Sequence, residues 1–226
     1  MLSKLIRRLL LFVVIPGSMA VGIIGFGDRR YYAVALIIAI SVCLIYMLSF
    51  EEKKISTRRI VLLSIMIALC TLGRFLFLPI PGFKPVTAIV VLTGFYFGSE
   101  AGLVTGAMAA LVSNVVFGQG PWTPFQMIAW GLIGFIAGGK LLHGVLQTKT
   151  GLAIYGILSG VAYSLIMDVW STLALDGSFV LGRFLLKVGT SLPFMVIYAV
   201  SNVVFLLLLR KPMGEKLARI KRIYNI

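Results

Sequence analysis

The chain has 226 residues, 60% of them hydrophobic and only 12% charged, with a mean hydropathy of +1.05. Soluble domains carry about 25% charged residues, and several apolar runs here approach the roughly 20 residues that cross a bilayer as a helix; a soluble globular fold is excluded and an all-α integral membrane protein is predicted. The net charge of +14 fits basic cytoplasmic loops at anionic headgroups rather than a nucleic-acid partner.

Met1 to Ala20 has the layout of a secretory signal, with Lys4, Arg7 and Arg8 ahead of an apolar stretch and Ser18-Met19-Ala20 as a possible cleavage site. The apolar character runs on to Phe26, so the stretch is read as a first membrane helix, Leu9 to Phe26, kinked at Pro16. A Gly27-Asp28-Arg29-Arg30 turn leads into a second span, Tyr31 to Phe50. Residues 1–50 thus form a transmembrane hairpin with almost no polar group at depth, read as extra scaffold. Residues 51–59, with Lys53, Lys54, Arg58 and Arg59, form a charged cytoplasmic linker.

Ile60 to Leu78 is the third predicted span; it contains Ser64-x-x-x-Ala68 and carries Arg74 near its far end. The stretch Pro79-Ile80-Pro81-Gly82-Phe83-Lys84-Pro85 is too proline-rich to continue a helix and reads as an ordered loop. Val86 to Gly98 is a short fourth span, Ser99-Glu100 a reversal, and Ala101 to Phe117 the fifth. Gly94, Gly98, Gly102, Gly106 and Ala110 recur at every fourth position, a spacing that lets helix backbones approach closely in lipid.

The apolar run breaks at Gly118-Gln119-Gly120-Pro121, four residues after Asn114, and resumes as a sixth span, Trp122 to Gly139. Trp122, Gln126 and Trp130 stand at i, i+4 and i+8, a spacing that shares one helix face. Lys140, His143 and Lys149 fall in the loop that follows. Gly151 to Leu173 is the seventh span, with Tyr163, Asp168 and Trp170 in its second half. Asp176 to Lys187 is read as a loop or short interfacial segment, Val188 to Leu209 as the eighth span, and residues 210–226 as a basic cytoplasmic tail.

With the N-terminus inside, the inner segments hold 15 Lys plus Arg and the outer loops five, with Arg74 in a span. That distribution obeys the positive-inside rule and makes both termini cytoplasmic. Arg74, Asn114, Gln119, Trp122, Gln126, Trp130, Tyr163, Asp168 and Trp170 then fall in the outer half of the membrane or just above it. With Lys84 of the outer loop they are the candidate substrate-binding residues.

Ionisable groups at membrane depth cost roughly 2.5 to 3.5 kcal/mol on insertion scales and mark pathways or sites. Arg74 and Asp168 are read either as a mutual ion pair or as ligand contacts. Trp122 and Trp170 also fit an interfacial aromatic belt. Tryptophan faces, amides and one charge suit a large, partly apolar organic ligand with hydrogen-bonding groups, and suit an inorganic ion poorly because no carboxylate cluster is present. His143, the sole histidine, lies on the cytoplasmic side, away from every candidate. A Ser-His nucleophile pair and a histidine metal cluster therefore do not assemble, and no Gly-rich phosphate loop with Lys exists. No residue is assigned a catalytic or metal-ligating role, no cofactor is implied, and Cys43 and Cys70 read as packing residues.

The stretches GRFLFLPIPGFKPVTAIV (Gly73 to Val90) and ALVSNVVFGQGPWTPFQMIAWGLIGFIAG (Ala110 to Gly138) resemble those of the cobalamin-type substrate-binding S components of energy-coupling factor (ECF) vitamin transporters. The resemblance covers Ile60 to Leu209 and implies a six-helix substrate-binding core at about 60–209, preceded by the additional two-helix hairpin. It implies high-affinity binding of a vitamin, cobalamin first, near the extracellular face of the cell membrane. Delivery would follow by reorientation in the membrane, together with a transmembrane coupling subunit and two ABC-type ATPases that supply ATP hydrolysis. Ser64 and Ala68 occupy the place of the family's small-x-x-x-small coupling surface, with Ser where the pattern usually has Ala. Two readings stay beside this one: an S component for another vitamin or precursor (pyridoxine, a thiamin precursor, pantothenate or riboflavin), and a ligand-free structural membrane subunit.

Overall fold

The computed structural model describes residues 2–17, 37–38, 40–41, 44, 57–176 and 179–224. Most of the expected N-terminal hairpin, including Ser18 to Ala20, the Gly27 to Arg30 turn, Cys43 and the linker from Glu51 to Ser56, lies outside the described residues.

The described elements are all helical. Helix α1 (Leu2–Leu9) runs into a π-helical turn, Leu10–Val14, which ends two residues before Pro16. Proline has no N–H to continue the regular ladder, and π turns occur where a helix absorbs such a break. The core follows as α2 (Thr57–Leu76), α3 (Val86–Phe97), α4 (Ser99–Phe117), α5 (Thr123–Ala137), a short α6 (His143–Leu146), α7 (Lys149–Asp176), α8 (Leu181–Arg210) and α9 (Pro212–Tyr224). Helices α2, α4, α7 and α8 are long and apolar enough to cross a membrane. Helix α5 makes a further span when joined to the segment Lys140–Leu146, bent from it by 61°, and α3 is a shorter apolar helix. The chain is an all-α, multi-pass membrane protein.

Two helix pairs dominate the packing, α4 with α5 and α7 with α8. The first rests on glycine. A Cβ at Gly102 would lie 2.1 Å from the Gly134 carbonyl oxygen, one at Gly94 2.2 Å from the same atom, and one at Gly106 2.2 Å from the Trp130 carbonyl oxygen. The four-residue glycine spacing thus brings α3, α4 and α5 into backbone contact. Gly98, in the same sequence register, behaves differently. With φ of +94° and nothing within 4 Å of a built Cβ, it forms the reversal between α3 and α4, where a left-handed backbone favours glycine.

Helix α8 begins at Leu181, seven residues before the predicted start, so most of the expected Asp176 to Lys187 loop is helical. Leu181 to Lys187 contains Leu, Arg, Phe and Lys but no proline, and these residues carry the helix outward. Pro193 lies inside α8 without ending it, as is tolerated in membrane helices where neighbours meet the freed carbonyl. The basic tail also forms a helix, α9, which packs Gly214 and Leu217 inward.

The two ends of the bundle differ in chemistry. At one end Arg7 binds Glu100, Arg59 donates to the Phe97 carbonyl at 2.6 Å, Arg210 binds the Gln147 carbonyl, and Arg58 lies over the Tyr224 ring. At the other end lie the C-termini of α2 and α4, the N-termini of α3 and α5, and the loop at residues 77–85. Here the buried polar side chains converge.

Candidate functional site

The loop at residues 77–85 is ordered by turns. The Leu78 N–H donates to the Phe75 carbonyl at 3.1 Å and the Ile80 N–H to the Phe77 carbonyl at 3.1 Å. Phe77, Phe83 and Phe205 form an aromatic cluster with centroids 4.9 to 6.0 Å apart. The loop is clamped to α8 through one buried hydroxyl: the Lys84 N–H donates to Ser201 Oγ at 2.8 Å, and Ser201 Oγ donates back to the Lys84 carbonyl at 3.2 Å. Gly82 turns with φ of +77° against Ile197 and Tyr198.

Below this loop is a cavity of about 140 Å³ lined by Arg74, Gly82, Lys84, Val86, Thr87, Gln126, Trp130, Tyr163, Tyr198 and Asn202. A continuous polar line crosses its wall. Arg74 donates through Nη1 to Ser113 Oγ and to Asn114 Oδ1, the latter at 2.9 Å. Asn114 Nδ2 donates to Gln126 Oε1 at 2.8 Å and to Thr123 Oγ1 at 2.9 Å. Gln126 Nε2 donates to the Tyr163 hydroxyl at 3.1 Å. Asn114, 1% exposed, is the node that ties α2, α4 and α5 together. Its Oδ1 and both Nδ2 hydrogens find partners inside the protein, as burial demands.

Aromatic rings complete the wall. Trp130 stacks on Tyr163 at 5.2 Å with an interplanar angle of 19°, and Tyr163 meets Tyr198 edge-on at 5.1 Å. The Arg74 guanidinium lies 4.7 Å from the Phe117 ring centre and 5.2 Å from that of Trp130, within cation–π range. Lys84 Nζ lies 5.8 Å from the same Phe117 ring. Burial, and then the neighbouring Arg74 charge, hold the Lys84 ammonium below the ordinary lysine value.

Of the residues singled out in the sequence, Arg74, Lys84, Gln126, Trp130 and Tyr163 line the cavity and Asn114 stands directly behind it. Gln119 braces the turn before α5, its Nε2 donating to the Leu111 carbonyl at 2.8 Å and its Oε1 accepting from Thr123 Oγ1 at 3.0 Å. Trp122 and Trp170 pack on each other at 6.4 Å, away from the cavity. The reason is helical drift: 3.6 residues per turn rotate each four-residue step by about 40°, so Trp122 lies well round from Trp130. It also precedes the first residue of α5. Asp168 is buried but apart, accepting from Ser191 Oγ at 2.6 Å, and no ion pair joins it to Arg74.

Tyr198, Asn202, Thr87 and Ser113 were not anticipated. Tyr198, Ser201 and Asn202 stand at i, i+3 and i+4 within the apolar eighth span, a polar stripe that could have been read as facing the site. Asn202 Nδ2 donates to the Gly156 carbonyl on α7 at 3.1 Å.

A multi-pass helical bundle with a polar, ring-walled cavity at one end has the build of a membrane-embedded substrate-binding protein. A family model described as ECF-type riboflavin transporter, S component, matches residues 54–218, and the chain belongs to that family. It is therefore the substrate-binding membrane subunit of an ECF transporter, a family that works with a coupling subunit and ATPases. Neither the curated proteins nor the solved structures contain a match to the chain.

Proposed function

We propose that this S component captures a small nutrient with a flat ring in the cavity between α2, α3, α5, α7 and α8, at the extracellular end of the bundle, with both termini cytoplasmic. It would deliver that ligand by reorienting in the membrane against its coupling subunit while two ABC-type ATPases supply the energy. The carrying observation is the wall itself: the Trp130–Tyr163 stack stands beside the amide of Gln126 and the cation of Arg74, and an aromatic wall with a few placed polar groups suits a planar ligand.

Cavity size bears on the choice of vitamin. An engineered cavity of about 150 Å³ holds benzene, so about 140 Å³ supports a single-ring vitamin or precursor of pyridoxine size. Cobalamin, which the sequence resemblance implies, finds support in the wall's amides and tryptophan face, and riboflavin in the family's description. Both are larger than the cavity and would require the loop at residues 77–85 to lift from Ser201.

The test is calorimetric binding of a panel of pyridoxine, thiamin, pantothenate, riboflavin and cobalamin to the purified chain and to a Gln126→Ala, Trp130→Ala double variant. One vitamin is expected to bind the wild type at about one to one and the folded double variant at least about 100-fold more weakly, the cost of losing a stacked ring and a buried hydrogen bond. Undiminished binding to the variant would remove the cavity from the reading. Silence across the panel in folded protein would favour the ligand-free subunit.

For the coupling surface, Ser64 and Ala68 are exposed on α2 between Val61, Ile65 and Leu72, all more than half exposed. Small side chains there permit close helix approach by a partner. Ala68→Trp is expected to leave binding at the wild-type level and to bring uptake by cells co-expressing the energising subunits down to background; retained uptake would sink the assignment.

A further inference from the structure

Among the described residues, the cavity is lined by two cations and no acid. Arg74 and Lys84 both line it, and among the described residues neither forms an ion pair with a carboxylate. Asp168 and Asp176 are engaged with Ser191 and Arg183, and Glu100 with Arg7. Arg74 is only 7% exposed, yet what faces it is neutral: the Ser113 hydroxyl, the Asn114 carbonyl oxygen and two rings. Ser113 Oγ gives its own proton to the Ala109 carbonyl at 2.5 Å, so toward Arg74 it is an acceptor. The Arg74 Nε–H is buried with no partner. A buried charge without a counter-ion is costly, and a second cation beside it adds repulsion. A native site keeps such an arrangement when a ligand supplies the missing charge.

We propose that the substrate of this S component is a ring compound bearing an anionic group, a carboxylate or a phosphate, which docks between Arg74 and Lys84 while its ring lies against Trp130 and Tyr163. The inference rests on the substrate-binding reading above and narrows it to acidic substrates. A guanidinium offers a carboxylate or phosphate charge-assisted hydrogen bonds that a neutral ligand cannot match, and the Lys84 ammonium, on a loop fixed by its own backbone, closes the other side.

The probes are single-ring compounds that differ in charge: benzoate, phenyl phosphate and neutral benzamide, added at equal ionic strength to the full chain in detergent, with thermal unfolding as readout. Benzoate or phenyl phosphate is expected to raise the midpoint and benzamide to leave it near the ligand-free value. Which of the two anions acts more strongly tells carboxylate from phosphate. Lys84→Gln, whose side chain makes no hydrogen bond that folding needs, is expected to weaken the anion's apparent affinity about tenfold or more. Asn114→Asp gives Arg74 a built-in counter-ion but forfeits the Nδ2 bonds to Thr123 and Gln126; it is expected to lower the ligand-free midpoint and, in the protein that remains folded, to weaken the anion's apparent affinity similarly.

Equal shifts from benzamide and benzoate, an anion effect unchanged in both variants, or no shift with any anion would overturn the proposal. A vitamin without an anionic group that binds tightly, and equally to wild type and Lys84→Gln, would overturn it while leaving the S-component function standing. If no vitamin of any charge binds and the coupling subunit fails to co-purify, the underlying reading falls as well.

Discussion

Replacing Gly134 by leucine is expected to cost the protein its folded bundle. A Cβ at this position would lie 2.3 Å from the Gly102 carbonyl oxygen and 2.6 Å from a methyl of Val90. The obstruction from Gly102 is backbone, which cannot rotate away as a side chain can, so α5 must move off both α3 and α4. Overpacking commonly costs 1–3 kcal/mol and more where nothing yields; here about 3 kcal/mol or more is expected. Because Trp130 stands one turn earlier on α5, with its carbonyl against Gly106, the displacement also moves the ring wall of the cavity. Thermal unfolding in detergent should show a large fall in midpoint or no folded protein at all. Gly144→Ala, where a built Cβ meets nothing within 4 Å, should stay within about 0.5 kcal/mol of wild type. Similar behaviour of the two variants would show that the close approach of α4 and α5 is not what holds the bundle together.

Asn114→Leu is the second large effect, and it acts through hydrogen bonds. The substitution preserves bulk but removes the acceptor for Arg74 and the donor for Thr123 and Gln126. A bond to a charged group is worth about 1.5–3 kcal/mol, and each buried orphan about 1–3 kcal/mol, so a loss of about 3 kcal/mol is expected once local relaxation is allowed. Arg74 keeps Ser113 but is free to swing, and Gln126 keeps only Tyr163, so ligand binding should disappear in whatever protein remains folded. Asn202→Leu removes a single bond to a helix carbonyl on Gly156 and should cost only about 1 kcal/mol. If unfolding midpoints of the two variants coincide, Asn114 is not the node of the network.

Much of the molecule was legible in the chain because the bilayer imposes simple rules. A span must be long, apolar and internally hydrogen-bonded, and α2 to α5 and α7 follow the predicted runs within a few residues. The four-residue glycine spacing also carried its meaning, since backbone approach needs nothing beyond the absence of a side chain. The early start of α8 and the helix in the basic tail were less visible, because neither stretch is apolar enough to mark itself as a span.

The residue types of the site were legible for the same reason: polar groups are rare at depth, so Arg74, Asn114, Gln126, Trp130 and Tyr163 stood out against their surroundings. Their partners were not. Periodicity assigns a residue to a face of its own helix but says nothing about which other helix that face meets. Trp122 shares the four-residue spacing yet drifts away from Trp130, and the opposite charges Arg74 and Asp168 find a neutral network and Ser191 instead of each other. Composition and period, being local and set by the membrane, determined the class of protein, its spans and its short roster of polar residues. Only the packing of α2, α3, α4, α5, α7 and α8 decided which of them share one cavity and that, among the described residues, its two cations face no acid there, because contacts between distant segments depend on side-chain fit across interfaces that no single helix encodes.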